Sequence, residues 1–169
     1  LMTLGAACMM PFVAAISVQM KRIEGRLHPL SYVQLGLGTL FVIEFIIPAF
    51  AGITAAYRPE RSPEVTQAIN DFCWLLLVGV VSTAFIQVAV IALAILADRS
   101  PEPVFPRWLG YFNAWVAVLF TPGAVIPFFK SGPLAWNGLV PWWIPLSVFG
   151  IWFIVMTWQL LASIRRLEV

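Results

Sequence analysis

The sequence predicts an all-α fold, a polytopic transmembrane helical bundle of about five spans with its C-terminus on the cytoplasmic side. Three observations predict it. The chain of 169 residues is 61% hydrophobic and 11% charged, where a soluble domain carries roughly 25% charged residues. A soluble domain of this size has too little interior to hide that much apolar surface. The apolar residues also fall into five continuous blocks, each of the ~20 residues that a helix needs to cross a hydrocarbon core. Finally, the cationic side chains are unequally divided between the connecting segments, which orients the bundle. Residues 1–169 read as one transmembrane helical domain.

The spans lie near 1–20, 32–57, 72–97, 108–129 and 139–161. The first stops at Lys21-Arg22, and the last is closed by Arg165-Arg166. The second carries Glu44, the one charge deep inside any block, and the third has none. Transmembrane β-strands would be about ten residues long and alternate in polarity, so helices are expected throughout. Because the chain opens on Leu1, already inside an apolar run, residues ahead of it are expected to be missing. A cleaved signal peptide would leave a polar start instead.

Segments 21–31, 98–107 and the C-terminal tail hold seven Lys and Arg residues, among them Arg26, against three (Arg58, Arg61 and Lys130) on the opposite side. The richer side is expected to be cytoplasmic. Tyr32, Tyr57, Trp74, Trp108, Trp136, Trp142 and Trp158 fall near span ends, where amphipathic rings favour the headgroup level. Trp115 and Trp152 fall deeper.

The tetrapeptide Arg-Ser-Pro-Glu occurs at Arg61–Glu64 and again at Arg99–Glu102. Ser before Pro, with Glu in the first turn, is a helix-start signal. The first copy is expected to open a short interfacial helix, Pro63–Asn70, leading into the third span. Prolines interrupt several spans, each freeing the carbonyl four residues earlier. Pro11 frees Ala7, Pro48 frees Glu44, Pro122 frees Val118 and Pro127 frees Gly123. Thr121-Pro122-Gly123 is the strongest expected break. Gly36 and Gly38 could let the second span approach a neighbour. Cys8 and Cys73 read as small hydrophobes rather than a disulfide.

Glu44 lies about 12 residues past Tyr32, or ~18 Å along a helix, near the middle of a ~30 Å core. An ionisable side chain at that depth is a functional-site hypothesis. Its own carbonyl is freed by Pro48 at the same level. In antiparallel neighbours, Thr83 and Gln87 of the third span and Thr121 of the fourth reach similar depth. A polar cluster of Glu44, Thr83, Gln87 and Thr121 is therefore expected, either as a hydrogen-bonded packing device or as a ligand or proton site. Asn113 and Gln159 read as polar residues near the interface.

Much chemistry is excluded. The single histidine, His28, cannot ligate a haem or a metal cluster within the span region. There is no phosphate loop, nucleophile elbow or zinc motif. No residue is assigned a catalytic role, no metal site is present, and no cofactor is implied. The +2 net charge is dispersed, so nucleic acid is not a partner. Expected partners are the lipid bilayer and other membrane subunits or further copies of this chain. Short loops and the lack of any Asn-x-Ser/Thr signal point to a bacterial plasma membrane. In size, span number and Trp content the chain resembles the translocator-protein family of lipophile binders, but none of that family's motif residues is matched here.

Three functions follow in order: a non-catalytic helical or accessory subunit of a larger membrane complex; a small transporter, channel or lipophilic-ligand binder using Glu44; and an enzyme on a membrane-soluble substrate, with Glu44 or Asp71 as acid or base.

Overall fold

The computed structural model describes residues 2–24 and 29–166. Expectations resting on Leu1, Arg26 and His28 lie outside these residues. The described residues form helices and no strands. In order they are α1 (Met2–Ala7), α2 (Met10–Glu24), α3 (Leu30–Tyr57), α4 (Pro63–Gly79), α5 (Ser82–Ala97), α6 (Arg107–Phe120), a 3₁₀ helix (Thr121–Phe128), a π-type turn (Leu139–Trp143) and α7 (Ile144–Arg165). Together they make five helical segments long and apolar enough to cross a membrane: Met2–Ile23, Leu30–Tyr57, Pro63–Ala97, Arg107–Phe128 and Leu139–Arg165.

Several breaks fall where the prolines place them. The first segment parts after Ala7, whose carbonyl Pro11 leaves without its helical donor. The α6 helix ends at Phe120 and tightens into the 3₁₀ helix at Thr121-Pro122-Gly123. There the Thr121 hydroxyl donates to the Val118 carbonyl at 2.7 Å, taking up the acceptor that Pro122 frees. By contrast, α3 runs through Pro48 without a break. One acceptor beside that proline is used from outside, because the Cys73 thiol of α4 donates to the Pro48 carbonyl at 3.1 Å.

The third segment starts as expected and departs from expectation further along α4. Ser62 caps it through Val65 N–H, with Pro63 in the first turn, as the motif predicts. No separate interfacial helix follows, however; α4 continues past Asn70 to Gly79. Asn70 does not stop the helix because its side chain stays on the helix surface, accepting from Trp74 Nε1 one turn on. The break comes later, at Val80, with φ −83° and ψ 78° and Val81 N–H donating to the Gly79 carbonyl at 3.0 Å. This is an inverse γ-turn. A glycine followed by two β-branched residues is a weak place to continue a helix, and no proline marks it. The second Arg-Ser-Pro-Glu copy opens no helix: Ser100 instead turns back onto Asp98, and α6 starts only at Arg107, after Pro106.

The centre of the bundle is α5. Its Val88, Ile91 and Ile95 share one core with Ile16 and Met20 of α2, Leu109 and Val116 of α6, and Met156 of α7. Gly110 brings α6 close, since a Cβ there would lie 2.7 Å from Leu96 Cγ. Gly38 does the same for α3, where a Cβ would overlap Val13 of α2 and lie 2.9 Å from Gln87 Nε2 of α5. Gly36, the other glycine of that pair, faces open space.

Helix α3 is patterned inside out. Its buried stripe is Ser31, Gln34, Gly38, Val42, Glu44, Pro48 and Ala51. Leu40, Ile43, Ile47, Phe50 and Ile53 point outward. Small and polar residues face the neighbouring helices while bulky apolar ones face away, the reverse of a water-soluble helix.

Candidate functional site

Three residues spaced i, i+3, i+4 on α3, namely Phe41, Glu44 and Phe45, share one helix face. Opposite them stands the start of α5, displaced from α4 by the γ-turn. Thr83 sits one residue past the start of α5, and its hydroxyl donates to Glu44 Oε1 at 2.5 Å. Among the described residues this is the one hydrogen bond the Glu44 carboxyl receives, and no cation lies within ion-pair reach. Among the described residues Oε2 has no hydrogen-bond partner. The N-terminus of α5 has no side-chain cap.

Glu44 lines a half-open cavity of about 360 Å³. It is the one ionisable side chain in a wall otherwise made of Met2, Phe41, Phe45, Leu77, Val78, Val80, Val81, Ala84, Phe120, Pro141, Trp142, Pro145, Leu146 and Phe149. Three of the rings form a contiguous wall: Phe41–Phe45, Phe41–Phe149 and Phe45–Phe149 have centroids 5.1, 5.6 and 5.8 Å apart. The cavity opens where helices are interrupted. Val80 and Val81 come from the α4–α5 turn, Phe120 from the end of α6, and Pro141, Trp142 and Pro145 from the irregular start of α7.

Of the four expected site residues, the structure brings Glu44 and Thr83 into direct contact. Gln87, one turn further along α5, is buried but turns toward Gly38, at a different level of the same α3–α5 seam. Thr121 does not join the cluster. It is exposed, and its hydroxyl is spent on the Val118 carbonyl. Depth alone suggested it, and depth says nothing about which way a side chain faces. Asp71 is exposed on α4. Cys8 is exposed and Cys73 half-buried, both as free thiols.

Other buried polar joints were not legible in the sequence. Asn113 is fully buried between helices: its Oδ1 accepts from Trp152 Nε1 at 2.8 Å, tying α6 to α7, and its Nδ2 donates to the Leu109 carbonyl. Ser17 of α2 donates to Gln34 Oε1 of α3. Gln19 Oε1 accepts from Ser163 at 2.9 Å and from Arg22 at 2.6 Å. The i, i+3 pairing of Gln19 with Arg22 is the one signal that could have flagged this joint.

Asp98 ends α5, 8% exposed. Burial pushes its carboxyl up, but three donors outweigh that and hold it below the usual carboxylate range. They are the Ser100 hydroxyl and N–H and the Val104 N–H, at 2.6, 3.0 and 3.1 Å. Asp98 thus ties the α5–α6 loop to the end of α5 and works as structure. Arg166 reaches the same loop through the Val104 carbonyl at 3.0 Å, and Arg22 reaches Ser163 of α7 at 3.3 Å. The basic ends of α2 and α7 and the α5–α6 loop therefore meet at one end of the bundle. Among the described residues no group of three or more His, Cys, Asp or Glu side chains could hold a metal ion.

No protein-family description, curated protein or solved structure matches this chain.

Proposed function

We propose that the chain is a multi-pass integral membrane protein that binds a small lipophilic molecule in the Glu44 cavity. The observation that carries this is the single ionisable group set in an apolar, aromatic cavity of about 360 Å³, within the ~300–1,000 Å³ range of small-molecule sites. Such sites orient an apolar ligand with a few placed polar groups, and here Glu44, held by Thr83, is that group. Broken helices that line a cavity are the usual way irregular backbone is accommodated at membrane depth. Membrane insertion is supported by the inside-out pattern of α3 and by outward residues such as Phe50, Trp115 and Ile154, which are 57%, 67% and 69% exposed. The convergence of basic residues at one end supports that end, with the C-terminus, as cytoplasmic, and the plasma membrane of a bacterium as the location.

Native mass spectrometry on protein extracted gently from its own membranes tests this. A retained small lipophile, lost when Leu146→Trp fills the cavity, is the expected result. Stoichiometric partner chains with no bound small molecule would overturn it. That outcome would favour the second reading, a helical or accessory subunit, for which the largely uncovered outer faces of α3 and α7 speak.

A further inference from the structure

We infer that the molecule taken by the cavity is a small lipophilic amine, bound as its cation against Glu44; the inference rests on the cavity being a ligand site. The cavity walls offer hydrocarbon and π-faces to most of the ligand and one carboxyl to a single point on it. Glu44 Oε1 is occupied by Thr83, which fixes the plane of the carboxyl. Oε2 remains open to one further partner. A carboxyl removed from water either stays protonated or takes a counter-charge, and no cation is supplied by the described residues. A protonated amine supplies it, donating N–H to Oε2 in a charge-assisted hydrogen bond.

The rings strengthen that choice. Phe41 and Phe45 flank Glu44 on the same face of α3, and Phe149 closes the wall across from them. A cation held at Oε2 shares the cavity with these rings, and a ring face attracts positive charge through its quadrupole. A carboxylic acid or phosphate would meet Glu44 as a like charge, with no Lys or Arg in the lining to offset it. A neutral lipophile would meet Glu44 in its protonated form and gain a neutral hydrogen bond, about half the strength of the charge-assisted one an amine makes. The cavity lies toward the lower end of small-molecule site volumes, which suits one aryl ring on a short alkyl chain.

The test uses a matched pair of probes, 4-phenylbutylamine and 4-phenylbutan-1-ol, equilibrated with the protein in lipid nanodiscs. Empty nanodiscs correct for partition into lipid. The amine is expected to bind roughly tenfold or more tightly than the alcohol, the scale of one charge-assisted hydrogen bond. In Glu44→Gln that gap should close through loss of amine affinity, with the alcohol unchanged. Equal binding of the two probes to the unsubstituted protein, or a gap that survives Glu44→Gln, overturns the amine assignment and leaves the cavity reading standing. Binding of neither probe overturns both. A measurement without substitution runs beside it: carbodiimide labelling of Glu44, read by mass spectrometry, should be slowed by the amine and not by the alcohol. Equal protection by both, or by neither, counts against the assignment.

Discussion

Gly123 is the position where one added methyl group should be felt most. It lies at the third residue of the 3₁₀ helix that follows α6, pressed against the end of α4. A Cβ there would overlap the Val78 carbonyl oxygen and lie 2.5 Å from Val81 Cγ1. The first of these neighbours is backbone, and the γ-turn at Val80 pins it through the Val81 N–H bond to Gly79, so it cannot rotate away. Overpacking of this kind costs about 1–3 kcal/mol. Replacing glycine by alanine also returns roughly 0.4–1 kcal/mol by restricting the unfolded chain. Gly123→Ala should therefore destabilise by up to ~2.6 kcal/mol net, and at the least offset the gain from the restricted unfolded chain. Gly36→Ala is the internal control. Nothing lies within 4 Å of a Cβ at Gly36, so only the favourable term remains and the sign should reverse. Equilibrium unfolding in mixed dodecyl maltoside and SDS micelles, followed by far-UV circular dichroism, measures both. If Gly123→Ala proves as stable as Gly36→Ala, the close approach of the 3₁₀ helix to α4 is wrong, and with it the wall of the cavity formed by Val78 and Val81.

Two further outcomes follow from the buried polar groups. Asn113→Leu removes the acceptor of Trp152 Nε1 and strands a buried donor, which should cost about 1–2 kcal/mol; adding Trp152→Phe should recover part of that loss, and strictly additive effects in the double-mutant cycle would refute the bond. Asp98 is held below its ordinary value of about 3.9, so the stability it gives is full above that value and is lost as the pH falls through its folded pKa. The stability gap between the unsubstituted protein and Asp98→Asn should be constant from neutral pH to about 5 and close below about 4; a gap still intact at pH ~3 would refute the role given to Ser100 and Val104.

The polar cluster shows why depth could be read from the sequence and direction could not. Counting residues from a span end fixes height to within a turn, and Glu44 and Thr83 do meet. Thr121 fails because the Pro122 break leaves a carbonyl at Val118 that its hydroxyl reaches first, turning the side chain outward. Asn113 makes the same point: its place in the first turns of α6 is plain in the sequence, while its complete burial beside Leu109 is not. In a helix apolar all round, the hydrophobic pattern gives no azimuth. Polar and small residues then mark the inner face only after the neighbours are known.

The sequence by itself determined the number of apolar segments, their approximate limits, the unequal division of cationic residues and the helix breaks after Ala7 and at Thr121. These are one-dimensional properties, set by segment composition, charge placement and the missing N–H of each proline. Tertiary structure alone decided the γ-turn at Val80, the inward face of each helix, and the meeting of Glu44 with Thr83 and a wall of phenylalanines. A cavity is the space between elements, and it exists only because interruptions at Val80, Phe120 and Pro141, far apart in the chain, come to one level of the bundle. No local pattern encodes that coincidence; the packing of α3, α5 and α7 around it does.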